Sequence, residues 1–84
     1  MVNIKNKITI IGMGYIGFPT ALLLAHKNRH IICVDNDKKK IKNLKNGNFI
    51  FKEKEINLLF KKKRKYLSFK EKIEISDVYI VCVP

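Results

Sequence analysis

Apolar positions in this chain come in short blocks separated by lysine-rich polar stretches, and the blocks differ in period. Lys7 to Ile11, "KITII", is a β-branched run closed by Gly12 that suits a buried parallel strand. "TALLLAHKN" follows, an alanine- and leucine-rich segment with helix-forming preference, closed by Asn28 and Arg29. "HIICVD" is a second strand-like run, ending in Asp35. Asp37 can cap a third element, "KKKIKNLKN", where Ile41 and Leu44 share a face and Gly47 supplies the stop.

Beyond "NFIF", the segment "KEKEINLLFKKKRK" puts Ile56, Leu59 and Phe60 on one helical face, with Lys63 next in the series. Its basic end, Lys61 to Lys65, falls where a helix C-terminus favours positive charge. The run is expected to be a solvated helix end, with anion binding as the alternative. "YLSF" reads as a short strand, and "DVYIVCVP" as another, apolar from Val78 to Val83 and ended by Pro84. The order strand, helix, strand, helix, helix, strand, strand predicts an α/β fold: a mainly parallel sheet covered by helices. There is no internal repeat and no low-complexity linker.

Length and charge narrow this picture. Eighty-four residues make one small domain at most, which buries only about 60 to 65% of its unfolded surface. Lysine and arginine total 18 against 7 acids, a formal +11, which raises a nucleic-acid or anionic-membrane hypothesis. Only Arg29 and Arg64 are arginines, however, and abundant lysine, isoleucine and asparagine indicate a global bias rather than a gripping surface. No nucleic-acid partner is expected. Cys33 and Cys82 sit in apolar runs without CxxC spacing, so they are expected to be reduced core thiols, with no metal site. The chain lacks a membrane-length run and a signal-peptide layout, so a cytoplasmic protein with no membrane partner is expected.

The candidate chemistry lies at the first strand–helix junction. Gly12, Gly14 and Gly17 form GxGxxG, and each has a mechanical task in a dinucleotide-binding reading. Gly12 lets the chain turn off the strand, Gly14 leaves backbone bare for a pyrophosphate, and Gly17 lets the helix pack closely. Met13, Tyr15 and Ile16 would contribute main-chain donors, backed by the partial positive charge of the helix N-terminus. Pro19 falls in the first helical turn, where a missing N–H costs least.

Asp35 lies 18 residues beyond Gly17, where an acid accepts hydrogen bonds from the adenosine ribose. Alone, such an acid serves equally well as a helix cap or a solvent-facing turn residue. The same carboxylate repels a 2′-phosphate, so NAD is expected over NADP. Lys38 to Lys40 pull the other way, and Asp35, nearer the ribose, should outweigh them.

The run "GMGYIGFPTA" resembles the N-terminal part of the UDP-glucose/GDP-mannose dehydrogenase family, and is most similar to its branch acting on UDP-N-acetyl-D-mannosamine. The resemblance runs from about Lys7 to Pro84, through "IICVDNDKKKIKNLKNGN" and "SDVYIVCVP"; Lys54 stands where the family has proline after an acid. It implies a Rossmann-type parallel sheet with helices on both faces, about strands 1 to 4 of a dinucleotide-binding domain. It implies an NAD-dependent oxidation of a UDP-sugar C6 alcohol to a carboxylate in two hydride transfers, for surface polysaccharide synthesis. It makes Tyr15, Ile16 and Asp35 cofactor contacts, and Lys40 stands where relatives carry an arginine near the adenosine ribose.

The resemblance also implies homo-oligomeric full-length enzymes whose nucleophilic cysteine, assisting lysine and asparagine, and sugar domain lie beyond this stretch. Residues 1–84 are therefore expected to be a truncated cofactor domain, inactive alone, whose last strand forms an uncovered apolar edge. Two rivals share the glycine turn and the acid. One is a regulatory nucleotide-sensing module of a potassium-transport system; the other is a different NAD-dependent dehydrogenase, such as UDP-glucose 6-dehydrogenase.

Overall fold

Four short parallel strands order this chain, and the first occupies the middle of their sheet. The computed structural model describes residues 7–48 and 51–83. Strands β1 (Ile8–Ile11), β2 (Ile31–Val34), β3 (Leu67–Lys70) and β4 (Val78–Val81) lie in the order β3-β2-β1-β4. In register, Ile10 stands beside Cys33 on one side and Ile80 on the other, and Cys33 beside Phe69. This is the strand order of a dinucleotide-binding half-fold.

Three helices connect the first three strands: α1 (Gly17–Leu24), α2 (Lys38–Lys45) and α3 (Lys54–Lys63). Asp37 caps α2 as its sequence suggested, its carboxylate accepting from the Lys40 amide at 3.1 Å. Gly47 ends that helix with φ +73°, a left-handed conformation that costs glycine little. The basic end of α3 tightens into a 3-10 turn, Arg64–Tyr66, before β3. "NFIF" falls partly, and Pro84 wholly, outside the described residues.

Side chains alternate across a strand, so Ile10, Ile31, Cys33, Leu67 and Phe69 share one face of the sheet. Phe18, Ala21 and Leu22 of α1, Ile41 and Leu44 of α2, and Phe60 of α3 complete the same core. Phe18 sits at its centre, 1% exposed, with its ring 5.2 Å from Phe60. Phe60 in turn meets Phe69 edge-on at 6.2 Å. Each such pair adds about 0.5–1.5 kcal/mol beyond the area it buries.

The Rossmann-type parallel sheet with helices expected from the sequence is present, and among the described residues α1, α2 and α3 all contribute to the core that holds Ile10, Cys33 and Phe69. The steps from β1 to β2 to β3 move the same way across the sheet, and right-handed crossovers then place their helices on one side. The return from β3 to β4 is made by residues 71–77, which form no helix. That segment is tied down by polar contacts instead. The Thr9 and Ser76 hydroxyls hydrogen-bond to one another, Asp77 accepts from the Lys7 amide at 2.7 Å, and the Tyr79 hydroxyl donates to the Glu74 carbonyl at 3.1 Å.

β4 is the outer strand beside β1, and Val81 is 63% exposed. The apolar edge expected from the sequence is there. Among the described residues no helix is long and apolar enough to cross a membrane.

Candidate functional site

A cleft of about 1000 Å³ opens at the carboxyl ends of β1, β2 and β4, where open parallel sheets bind their ligands. The glycine turn forms its floor. Gly12 has φ +101° and its amide donates to the Val34 carbonyl at 2.7 Å, so the chain leaves β1 while still tied to β2. A Cβ on Gly12 would stand 3.0 Å from the Cys82 backbone, and one on Gly17 only 1.6 Å from the Gly12 carbonyl oxygen. These two glycines let three backbone segments meet. Gly14 differs: nothing lies within 4 Å of its missing Cβ, and it borders the cleft.

Asp35, just past β2, faces this turn. One carboxylate oxygen accepts from the Met13 amide at 2.9 Å and the other from the Asp37 amide at 2.9 Å. The Lys40 ammonium lies 3.7 Å away. Burial pushes the Asp35 carboxyl up, but the two amides and Lys40 together outweigh it and hold the group below the ordinary aspartate range. The result is an ionised acid aimed across the mouth of the turn.

Seven of the eight residues singled out from the sequence line this cleft: Gly12, Met13, Gly14, Tyr15, Ile16, Asp35 and Lys40. Gly17 does not line it and instead packs beneath it. The Met13 expectation needs correction. Its amide was counted as a donor for a diphosphate, but the turn carries it over the end of β2, where Asp35 takes it. The amides of Gly14, Tyr15 and Ile16 have no backbone acceptor among the described residues. Tyr15 is 81% exposed, with its ring 6.3 Å from Phe51.

Sequence reasoning missed Glu71 and Ile73, which reach the cleft from beyond β3. The signal available was positional, since every segment leaving a strand's carboxyl end borders the same crevice. Cys82 is a free thiol packed against the core as expected, but it lies half-buried just past β4 and also lines the cleft. Cys33 is the buried core thiol expected, pushed up to about 12 by desolvation. Among the described residues no cluster of three acids, histidines or cysteines could hold a metal.

A profile of the UDP-glucose/GDP-mannose dehydrogenase family, NAD binding domain, matches residues 6–84. The chain belongs to that family. A UDP-N-acetyl-D-mannosamine dehydrogenase from Methanococcus aeolicus is 40% identical over 81 residues, covering 94% of this chain and 18% of the relative. A UDP-N-acetyl-D-glucosamine 6-dehydrogenase from Salmonella typhi is 39% identical, covering 93% and 18%. The solved UDP-N-acetyl-mannosamine dehydrogenase of Staphylococcus aureus superposes with a TM-score of 0.85 at 31% identity, over 93% of this chain and 19% of that one. The chain thus spans about a fifth of the length of the relatives it matches.

NAD is the cofactor of this family domain, and the cleft suits it. Bare backbone at Gly14 leaves room for a diphosphate, and Asp35 presents a carboxylate beside it.

Proposed function

We propose that this chain is the NAD-binding part of a nucleotide-sugar 6-dehydrogenase that oxidises the C6 alcohol of a UDP-sugar to a carboxylate, with UDP-N-acetyl-D-mannosamine as the substrate. One observation carries the reading: Asp35 and the bare turn at Gly14 share a single cleft at the strand ends. Bound NAD supplies the hydride acceptor. The chain's own contribution is to bind and orient it. Gly14, Tyr15 and Ile16 offer main-chain N–H groups to the diphosphate, Gly12 and Gly17 hold the turn in shape, and Met13 fixes Asp35. Asp35 accepts from the ribose hydroxyls, and Lys40 flanks the acid.

Charge in the cleft supports NAD over NADP. Among the described residues, Asp35, Asp37 and Glu71 face one cation, Lys40, so a 2′-phosphate would enter a net-negative surround. We further propose that residues 1–84 alone bind cofactor without turnover. The Cys33 thiol is buried and resists ionisation, and neither cysteine matches the nucleophile that the family resemblance implies. The sugar assignment follows the methanococcal and staphylococcal relatives, and the Salmonella relative favours the glucosamine epimer as the rival.

Two titrations test this. NAD should bind the purified protein at least tenfold more tightly than NADP, about 1.4 kcal/mol, and Asp35→Asn should remove most of that difference. Equal affinities in the native protein would overturn the assignment of Asp35. In the full-length enzyme, NADH should accumulate faster with UDP-N-acetyl-D-mannosamine than with its glucosamine epimer or UDP-glucose. A reversed order would move the substrate to the rival.

A further inference from the structure

A second recess lies beside β3, away from the glycine turn, and its lining is almost wholly cationic. Lys45 at the end of α2, Lys61 and Lys62 at the end of α3, and Arg64 and Lys65 of the 3-10 turn surround about 530 Å³. No acid lines it. Both ion pairs among the described residues, Lys40–Asp35 and Lys70–Glu74, involve other lysines. The C-terminal end of α2 meets the 3-10 turn that follows α3 here, and helix C-termini attract cations. Lysine side chains gathered without a counterion repel one another, and a bound anion relieves that repulsion.

One member of the set is held in place. The Arg64 guanidinium donates to the Lys45 carbonyl at 2.6 Å and packs against Gly47, where a Cβ would stand 2.7 Å from its nitrogen. Gly47 thus supplies both the helix stop and the space for the arginine. A guanidinium has five N–H donors in a rigid fork, so one bond to Lys45 leaves others to offer. Below the cations, Leu67 and Phe69 form a buried apolar floor that excludes water from one side and strengthens attraction above it.

We propose that this recess is a second anion site, separate from the NAD cleft, that takes a compact multivalent phosphate. Its volume falls within the range of small-ligand pockets. Cations clustered around one recess suit an oligophosphate better than an extended nucleic-acid backbone, which calls for a continuous track of charge. The occupant is a free oligophosphate chain or the phosphate end of a nucleotide, which share this chemistry.

Calorimetric titration of inorganic tripolyphosphate into the purified protein, at fixed ionic strength and with or without saturating NAD, tests the site. The expected result is saturable binding of one anion per chain, unchanged by NAD. Lys61→Gln with Lys65→Gln should weaken it about tenfold or more, while Lys38→Gln with Lys39→Gln, an equal charge loss on α2, should leave it within about twofold. Arg64→Lys keeps the charge but loses the fork and should also weaken it. ATP binding as tightly as tripolyphosphate at the same residues would identify a nucleotide's phosphate end; weaker ATP binding would identify the free chain.

As a measurement on the unaltered protein, tripolyphosphate should shield Lys61, Lys62 and Lys65 from acetylation more than Lys38 and Lys39. Equal weakening by both double variants, uniform shielding, displacement by NAD, or no saturable binding would overturn the proposal. So would tight single-stranded RNA binding without a tripolyphosphate site, which would mark an extended polyanion surface.

Discussion

The cleft at the strand ends sets Asp35, Asp37 and Glu71 against one lysine, whereas the recess beside β3 sets five cations against no acid. On a chain of net charge +11, the cofactor cleft is therefore the acidic one. The difference follows from what each surface uses to attract an anion. The cleft uses backbone: amides, a helix N-terminus and the absence of Cβ atoms, none of which appears in a charge count. The recess uses side-chain cations, four lysine ammonium groups and one held guanidinium, whose attraction is screened by salt. On the proposed reading, a diphosphate held by main chain leaves side chains free to discriminate, and Asp35 would use that freedom at the ribose.

Substitutions at the glycines should separate the two surfaces most sharply. Gly17→Ala drives a Cβ into the Gly12 carbonyl oxygen and should destabilise the chain by about 4 kcal/mol or more, read as a large fall in melting temperature. Gly14→Ala meets open space, so its melting temperature should barely move while NAD affinity falls at least about tenfold. Tripolyphosphate binding should survive Gly14→Ala. Parallel loss of both ligands there would show that the recess and the cleft are one site.

Next in size is the cap of α2. Asp37→Ala removes the bond to the Lys40 amide and should cost about 1 kcal/mol, measured by urea unfolding. It touches the acidic cleft and should leave the recess intact.

Of these two surfaces, acid should act on the cleft, since the acids line it and not the recess. The Asp35 carboxyl is held below its ordinary range, so its contribution is present above the unfolded value of about 4 and is lost as pH falls through the lower folded value. Urea midpoints measured from pH 6 downward should show this loss, and Asp35→Asn should flatten that part of the profile. Lys40→Ala should have the smallest effect, under about 1 kcal/mol, because its 3.7 Å pair is partly exposed.

What could be read in advance divides along the same line. The glycine spacing, the strand-ending acid, the Asp37 cap and the Gly47 stop are local patterns whose geometry follows from a few consecutive residues. The parallel sheet follows from the alternation of strands and helices, and its strand order from the dinucleotide-binding fold that the glycine turn implies. The Met13 bond to Asp35 was hidden because only the folded turn brings residue 13 over the end of β2. The recess was hidden because Lys45 and the Lys61–Lys65 run belong to different helices. Its fixed arginine depends on Gly47, which the sequence offered only as a helix stop. Cys82 sat in a continuous apolar run, and periodicity alone does not show which residue of such a run clears the strand and faces the crevice.

The central place of β1 has a bearing on the order in which the chain assembles. Ile8 pairs with Ile31 on one side and with Val78 on the other, so the second pairing closes a loop roughly three times longer, at an extra entropic cost of about 1 kcal/mol. The three-stranded unit with its helices is therefore expected to consolidate first, and β4 to dock afterwards. Pulse-labelled amide exchange should find β4 protected last; simultaneous protection of all four strands would contradict it. Since Cys82 and Val83 wall the cleft against Gly12, the nucleotide pocket is among the last features of a newly made chain to mature, and NAD at the ribosome exit would have only a half-built cradle to meet.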